Sequence, residues 1–333
     1  MITHIAKLSS PVFLALSLAA LLGCKKDGIE IKPPDPVAVV VPAADPEVIS
    51  LSSALSQQLV AADRAGEIRV RLRIDAAALK DSKRPPINVV LVMDSSGSME
   101  GKAIEDARAA ALALVDGLAE GDHFSVVTFD SLARVLVPST TIDAQSQASI
   151  REHITKMAAR GTTDLAGGLA AGLAEVQRGY LNNGVNRVVL LSDGVPNDES
   201  AMPGLSQQAA AMRVSITALG LGLEYNETLL ASLAQQTGGK FHFIEDSARV
   251  AAVLGDEVLR LERVVAQNLT LTLQPGPGVT IEGVLGHNGQ PLANRGLQLG
   301  LGDLGEGNHR ELIVRLRVGP HRSRCVHGQQ FAT

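Results

Sequence analysis

Residues 88–101 read Asn-Val-Val-Leu-Val-Met-Asp-Ser-Ser-Gly-Ser-Met-Glu-Gly, and no other stretch narrows the fold as much. Val89 to Met93 is an apolar, β-branched run of the length expected for a strand buried on both faces. It gives way at once to Asp94, Ser95, Ser96, Gly97 and Ser98, and then to a helical pattern. A strand that ends in a polar loop and opens a helix is where open α/β sheets place their ligands. Asp94, Ser96 and Ser98 stand at alternate positions, so their oxygens converge on one point if the loop curls, and Gly97 lets it curl tightly. One carboxylate with two hydroxyls suits a hard cation, and a hydroxyl-rich shell completed by water suits Mg²⁺. Taken alone, the same residues serve equally well as a helix-capping loop, since Asp and Ser favour N-caps.

Asp-x-Ser-x-Ser after a hydrophobic strand resembles the metal-ion-dependent adhesion site of von Willebrand factor type A domains. The resemblance implies two further site residues, a Thr in a downstream Gly-rich loop and an Asp closing a later strand in Asp-Gly. Gly161-Thr162-Thr163-Asp164 supplies Thr163, and Ser192-Asp193-Gly194 supplies Asp193. The likeness covers residues 86–265. It implies that Ser96, Ser98 and Thr163 touch the cation directly, while Asp94 and Asp193 hold its waters and supply negative charge. The implied metal is Mg²⁺, with Mn²⁺ or Ca²⁺ as alternatives. Its open position would take an Asp or Glu from a protein partner. Asp164 is expected to cap the helix after the Thr loop.

The rest of the chain frames this site. The helix after Gly101 carries Ile104, Ala107, Ala111, Leu114, Val115 and Leu118 on one face. His123–Phe129 is expected as a strand. Ser131–Val137 returns too soon for a crossover helix and is expected as an antiparallel edge strand. Helices are expected over 143–159, 165–180, 205–212 and 227–236, and a long one over 248–265. Strands are expected over 186–192, 214–219 and 241–244. Alternating strands and helices imply a doubly wound, mostly parallel α/β sheet. The resemblance gives six strands in the order 3-2-1-4-5-6 with one antiparallel edge strand. The first and fourth strands then lie side by side at the switch point, bringing Asp94 and Asp193 to one edge.

On either side the pattern changes to period two. Ile68, Val70, Leu72 and Ile74 alternate with Arg69, Arg71 and Arg73, and Leu312, Val314, Leu316 and Val318 alternate with Arg315 and Arg317. Leu269, Leu271 and Leu273, and Leu297, Leu299 and Leu301, repeat the signature. Lone strands cannot bury an apolar face, so residues 49–85 and 266–319 are expected to pair as a small β-sandwich into which the α/β domain is inserted. The arginines between the apolar positions read as a solvated face.

The N-terminus reads as an export signal over residues 1–23, with Lys7 ahead of an apolar run from Pro11 to Leu22 that is too short to span a bilayer. Leu21-Leu22-Gly23-Cys24 resembles a bacterial lipobox, which implies lipidation of Cys24. Lys25 after it favours the outer membrane, so the cell envelope is the expected location. Residues 24–48 hold Pro33, Pro34, Pro36, Pro42 and Pro46 and read as an extended tether. Residues 320–333 read as an irregular tail. Of 333 residues two are cysteines, Cys24 and Cys325, which excludes a disulfide framework. A formal net charge of −5 gives no basic footprint for nucleic acid.

Catalytic readings are weaker. Phosphotransferases with an Asp nucleophile usually carry a second Asp two residues on, where Ser96 stands. A serine hydrolase would want Gly-x-Ser-x-Gly and a paired His. The eight histidines are scattered, with no metal-ligand spacing. The expected function is therefore protein binding by a lipid-anchored envelope protein. A metal-dependent phosphoester hydrolase and a structural scaffold of an envelope assembly are the alternatives.

Overall fold

The computed structural model describes residues 12–15, 48–57, 64–78, 84–287, 289–293 and 295–320. Cys24, Cys325, most of the expected leader and tether, and the tail beyond residue 320 lie outside the described residues. Three strands come first: β1 (Val12–Ala15), β2 (Ile49–Leu55) and β3 (Gly66–Ala76). Then follow β4 (Ile87–Asp94), α1 (Lys102–Asp116), β5 (His123–Phe129), β6 (Ala133–Thr141), α2 (Ala144–Thr155) and α3 (Leu165–Arg178). After these come β7 (Val185–Ser192), α4 (Met202–Ala211), β8 (Ser215–Leu221), α5 (Glu227–Gln236), β9 (Phe241–Ile244) and α6 (Val250–Glu262). The chain continues through β10 (Val264–Gln274), β11 (Val279–Val284), β12 (Gln290–Pro291), β13 (Leu297–Gly305) and β14 (His309–Val318).

Two compact units emerge. One comprises Ala78–Leu269 with Gly300–Asn308, and the other the described parts of 9–77, 270–299 and 309–333. In the first, six strands run in the order β6-β5-β4-β7-β8-β9. All neighbours are parallel except β5 and β6, as expected of a strand that returns without a crossover helix. Along β4, Val89, Leu91 and Met93 pack with Ile104, Ala107 and Leu114 of α1 and Val250 and Leu254 of α6. Val90 and Val92 face Leu165, Leu169 and Leu173 of α3 on the other side. Every residue of β4 is buried, which is why its sequence is a continuous apolar run rather than an alternation.

Local chemistry sets the helix starts. Asp143 and Ser146 form a reciprocal capping box at α2, Asp164 accepts the Gly167 N–H at α3, and Asn226 accepts the Leu229 N–H at α5. The last helix is shorter than its apolar pattern suggests. A turn of 3₁₀ helix at Ser247–Arg249 precedes α6, and Val264 and Val265 belong to β10 instead of the helix. Apolar residues at that junction satisfy either period, and pairing within the sheet claims them for the strand.

In the second unit the two flanks of the sequence pair as expected. β3 and β14 run antiparallel from Gly66↔Val318 to Asp75↔His309, in a sheet ordered β11-β14-β3-β2. Ile68, Val70, Leu72, Leu312, Val314 and Leu316 are buried between the alternating arginines. Val70, Leu72, Val314 and Leu316 share an apolar cavity wall with Leu273 of β10, so two sheets face each other across an apolar interior. A further sheet is ordered β1-β10-β13-β12, and within the expected leader Val12–Ala15 pairs parallel to Leu271–Gln274. No helix among the described residues is long and apolar enough to cross a membrane.

Candidate metal centre

The five residues singled out by sequence come together at one point of the sheet edge. β4 and β7 are neighbours, with Met93 in register with Leu191, so Asp94 and Asp193 emerge side by side where the strand order reverses. The loop after β4 folds back on itself. The Ser96 N–H donates to Asp94 Oδ1 at 2.9 Å, and Gly97–Met99 forms a single 3₁₀ turn before α1. Ser96 Oγ and Ser98 Oγ lie 2.9 Å apart, and Ser98 Oγ donates to Asp193 Oδ1 at 2.8 Å. Thr163 completes the group. A Cβ placed on Gly194 would lie 3.2 Å from Thr163 Oγ1 and 3.8 Å from Ser98 Oγ, so these hydroxyls border the same small space.

Backbone bonds between the loops hold this convergence. Ser95 N–H donates to the Phe129 carbonyl, Arg160 N–H to the Ser95 carbonyl at 2.7 Å, and Gly97 N–H to the Gly161 carbonyl at 3.0 Å. Asn197 N–H donates to the Thr163 carbonyl at 3.1 Å. The Thr163 loop is thus tied to the β4 loop on one side and to the β7 loop on the other.

Two residues that sequence reading passed over belong to this construction. Ser192 donates from Oγ to Asp94 Oδ2 at 2.8 Å, fixing the second oxygen of that carboxylate. Its signal was its place as the last residue of the strand that leads into Asp193. Asp130 follows β5 and is buried. It accepts from Arg160 Nε at 3.0 Å, from Arg134 and from the Leu132 N–H, and its own carbonyl accepts the Asp164 N–H at 2.7 Å. It braces both ends of the loop that carries Thr163.

The electrostatics are unbalanced toward negative charge. Asp94 is fully buried, and burial pushes its carboxyl above the usual range, against the hydrogen bonds from Ser96, Ser192 and the Asp193 N–H. Burial also raises Asp193, opposed by the Ser98 hydroxyl and reinforced by the charges of Asp94 and Glu224, and carries it up to about 6. Two buried carboxylates side by side repel as anions, and a cation that joins them relieves that repulsion. Three hydroxyls and two carboxylates are hard oxygen donors suited to a divalent ion such as Mg²⁺. Among the described residues no group of three or more His, Cys, Asp and Glu forms a metal shell. The donor set here rests on hydroxyls instead.

Comparison with known proteins points in one direction. The family model described as von Willebrand factor type A domain matches residues 88–255. Protein sll0103 of Synechocystis sp. is 30% identical over 232 residues, covering 69% of this chain and 54% of that protein. Protein YfbK of Escherichia coli is 25% identical over 269 residues, covering 77% of this chain and 46% of its own length. The chain thus spans about half the length of these curated relatives. The solved structure of a von Willebrand factor type A protein from Catenulispora acidiphila superposes with a TM-score of 0.69 at 21% identity, covering 84% of this chain and 67% of the other.

Proposed function

The chain belongs to the von Willebrand factor type A family, whose domains typically mediate protein–protein contacts, and on that premise we propose that it binds a protein partner through a shared divalent cation. Ser96, Ser98 and Thr163 would touch the cation, and Asp94 and Asp193 would hold its remaining shell. The observation that carries this reading is the convergence of two carboxylates and three hydroxyls at the edge of the sheet. A cation so held keeps an electrophilic open position that takes a carboxylate from the partner. The chain's own residues do the rest. Ser192 and the Ser96 N–H fix the two oxygens of Asp94, Asp130 fixes the Thr163 loop, and the site is thereby set before a partner arrives.

Binding is favoured over hydrolysis. Ser96 shares its hydroxyl contact with Ser98, and Ser98 donates to Asp193. Both hydroxyls are thereby engaged with the groups that would hold the cation rather than with a separate base.

The same proposal places the domain at the cell envelope, most simply the outer membrane. A lipid on Cys24 and the proline-rich segment that follows would tether it there. The support is the sequence Leu21-Leu22-Gly23-Cys24 behind an apolar run. Metabolic labelling with a fatty-acid analogue tests this. Label on the wild-type chain, lost in Cys24→Ser, is expected, and equal label on both would remove the anchor.

The cation is tested by melting the full chain with Mg²⁺ and with EDTA. A ligand that binds only the folded state at one hundred times its Kd stabilises by about 2.7 kcal/mol. The wild-type chain is expected to gain a shift of that order, reversed by EDTA, and Asp94→Ala and Thr163→Ala are expected to show none. Equal melting of all three with and without Mg²⁺ would sink the metal reading.

A further inference from the structure

The sheet ordered β11-β14-β3-β2 buries one face, and its other face carries an array of guanidiniums. Along β3, Arg69, Arg71 and Arg73 alternate with buried residues, and along β14 Arg315 and Arg317 do the same. Alternation puts all five on the outer face. The register sets Arg69 directly opposite Arg315 and Arg71 opposite Ile313. Arg71 is thus diagonal to Arg315, roughly 7–8 Å away along the backbone grid. The flanking strands add only small groups beside this centre. Ser52 and Ala54 of β2 lie opposite Arg73 and Arg71, and Gly283 of β11 lies opposite Arg315.

The acids of this face stand at its margins. Glu67 pairs with Arg69, Asp75 and Glu311 pair with Arg73, and Glu282 pairs with Arg317. Arg71 and Arg315 have no acid within ion-pair distance among the described residues. Arg315 reaches over Gly283 instead, where an added Cβ would stand 3.8 Å from its Nη2. Like charges directly opposite each other weaken a sheet. Threonine at an exposed strand position would serve the fold better than a second arginine. Folding therefore does not account for Arg69, Arg71 and Arg315 standing side by side, whereas an anionic surface that meets them does.

We propose that this arginine face docks on the anionic phospholipid headgroups of a membrane, with Arg71 and Arg315 as its two uncompensated contacts. Guanidiniums take phosphate oxygens through paired N–H groups. Neighbouring strands lie about 4.8 Å apart, so four strands make a shallow face roughly 15 Å wide, suited to several headgroups rather than to one enclosed phosphate. The chain as a whole carries a formal net charge of −5, so attraction to an anionic surface is confined to this face, and repulsion elsewhere helps to orient it. β2 of the same sheet begins at Ile49, directly after the expected tether, so a lipid on Cys24 would keep the face within reach of the bilayer. The inference draws on the anchor proposed above for the nearness of a membrane and goes beyond it. The lipid would hold the chain, and the arginine face would set how this unit lies on the surface.

The test is co-sedimentation of the full chain carrying Cys24→Ser, which takes no lipid, with two kinds of vesicle. One is phosphatidylcholine alone, and the other is equal parts phosphatidylcholine and phosphatidylglycerol. Arg71→Gln and the pair Arg71→Gln/Arg315→Gln are compared with Lys156→Gln/Arg249→Gln, which removes the same charge from exposed positions of the α/β unit. Far-UV circular dichroism establishes that each variant is folded. The parent chain is expected to prefer the anionic vesicles and to lose that preference as salt rises. The arginine pair should weaken binding to anionic vesicles about tenfold or more, Arg71→Gln alone by part of that, and the control pair should bind as the parent does. Equal binding of the parent to both vesicles, or to neither, would overturn the proposal. So would undiminished binding of the arginine variants, or an equal loss in the control pair. Fatty-acid label at Cys24 is read separately on the wild-type chain, so failure of the anchor and failure of the face are distinct results.

Discussion

Three strands of the α/β sheet end in, or run directly into, an aspartate, and the three carboxylates meet different fates. Asp94 and Asp193 turn to the hydroxyls of Ser96, Ser98, Ser192 and Thr163. Asp130 turns to Arg134 and Arg160. Burial alone would raise the Asp130 carboxyl, but the hydrogen bonds from both guanidiniums and from the Leu132 N–H outweigh it and hold it below the usual range. A lowered acid contributes stability that is complete above its unfolded value near 3.8 and is lost as pH falls through the lower folded value. Asp130→Asn is therefore expected to cost about 1–3 kcal/mol at neutral pH. Urea melts repeated down the acid range should show the gap between variant and wild type closing below pH 3.8. Gly161 is a second residue whose effect is indirect. Its φ is +72°, and a Cβ there would meet Ser131 Oγ at 2.5 Å. Gly161→Ala is expected to cost about 1–2 kcal/mol for the left-handed backbone and to weaken Mg²⁺ binding by displacing Thr163, a loss that titration calorimetry would read although no donor is removed.

At the scale of elements, helix α3 lies close on β4 because a glycine faces the strand. A Cβ on Gly172 would come within 2.4 Å of Val92 Cγ2. Alanine in a helix interior ordinarily gains up to about 1 kcal/mol over glycine. Here overpacking of about 1–3 kcal/mol should outweigh it, so Gly172→Ala is expected to lower the melting temperature. Helix α6 is held by charge. Arg187 of β7 donates to Glu257 at 3.1 Å, to Thr217 Oγ1 at 3.0 Å and to Asp303 at 2.8 Å, and all of these are buried. Burial disfavours the Glu257 anion, yet the Arg187 charge and the Thr217 hydroxyl keep its carboxyl below the usual range. Arg187→Met removes the buried guanidinium that both Glu257 and Asp303 face and is expected to cost about 3–5 kcal/mol. A double variant with Glu257→Gln should recover part of that loss in denaturant titrations. Equal stability of single and double variants would mean that the pair does not hold the helix.

For the whole molecule, the second unit depends on both ends of the sequence. β3 and β14 are paired along ten positions, although some two hundred residues of α/β unit separate them in the chain. Each strand is apolar on one face only and is unstable without the other. A chain ending at residue 308 is expected to lose the β11-β14-β3-β2 sheet. Amide exchange at residues 66–76 should then be fast, while residues 87–94 in the α/β sheet stay protected. Protected amides at 66–76 in that truncated chain would show that β3 finds another partner.

Much of this was written in the sequence. Alternation along 68–74 and 312–318, and an unbroken apolar run along 89–93, fix which segments are half-buried strands and which are buried on both faces, because side-chain period follows from backbone geometry alone. The hydroxyl loop at 94–98 was legible from its residue types, and Thr163 and Asp193 through the resemblance of the chain to the von Willebrand factor type A family. What sequence left open were choices made by contact. Whether Val264 and Val265 prolong α6 or begin β10 is undecidable from an apolar pattern that suits both, and strand pairing decided it. That Asp130 braces the Thr163 loop depends on what lies opposite it, and it has two arginines within reach. The run of side-chain hydrogen bonds from Ser131 through Thr162 to Asn197 exists only once β5 and β7 are aligned in one sheet. Residues far apart in the chain acquire a common surface through that alignment, and no local pattern encodes it.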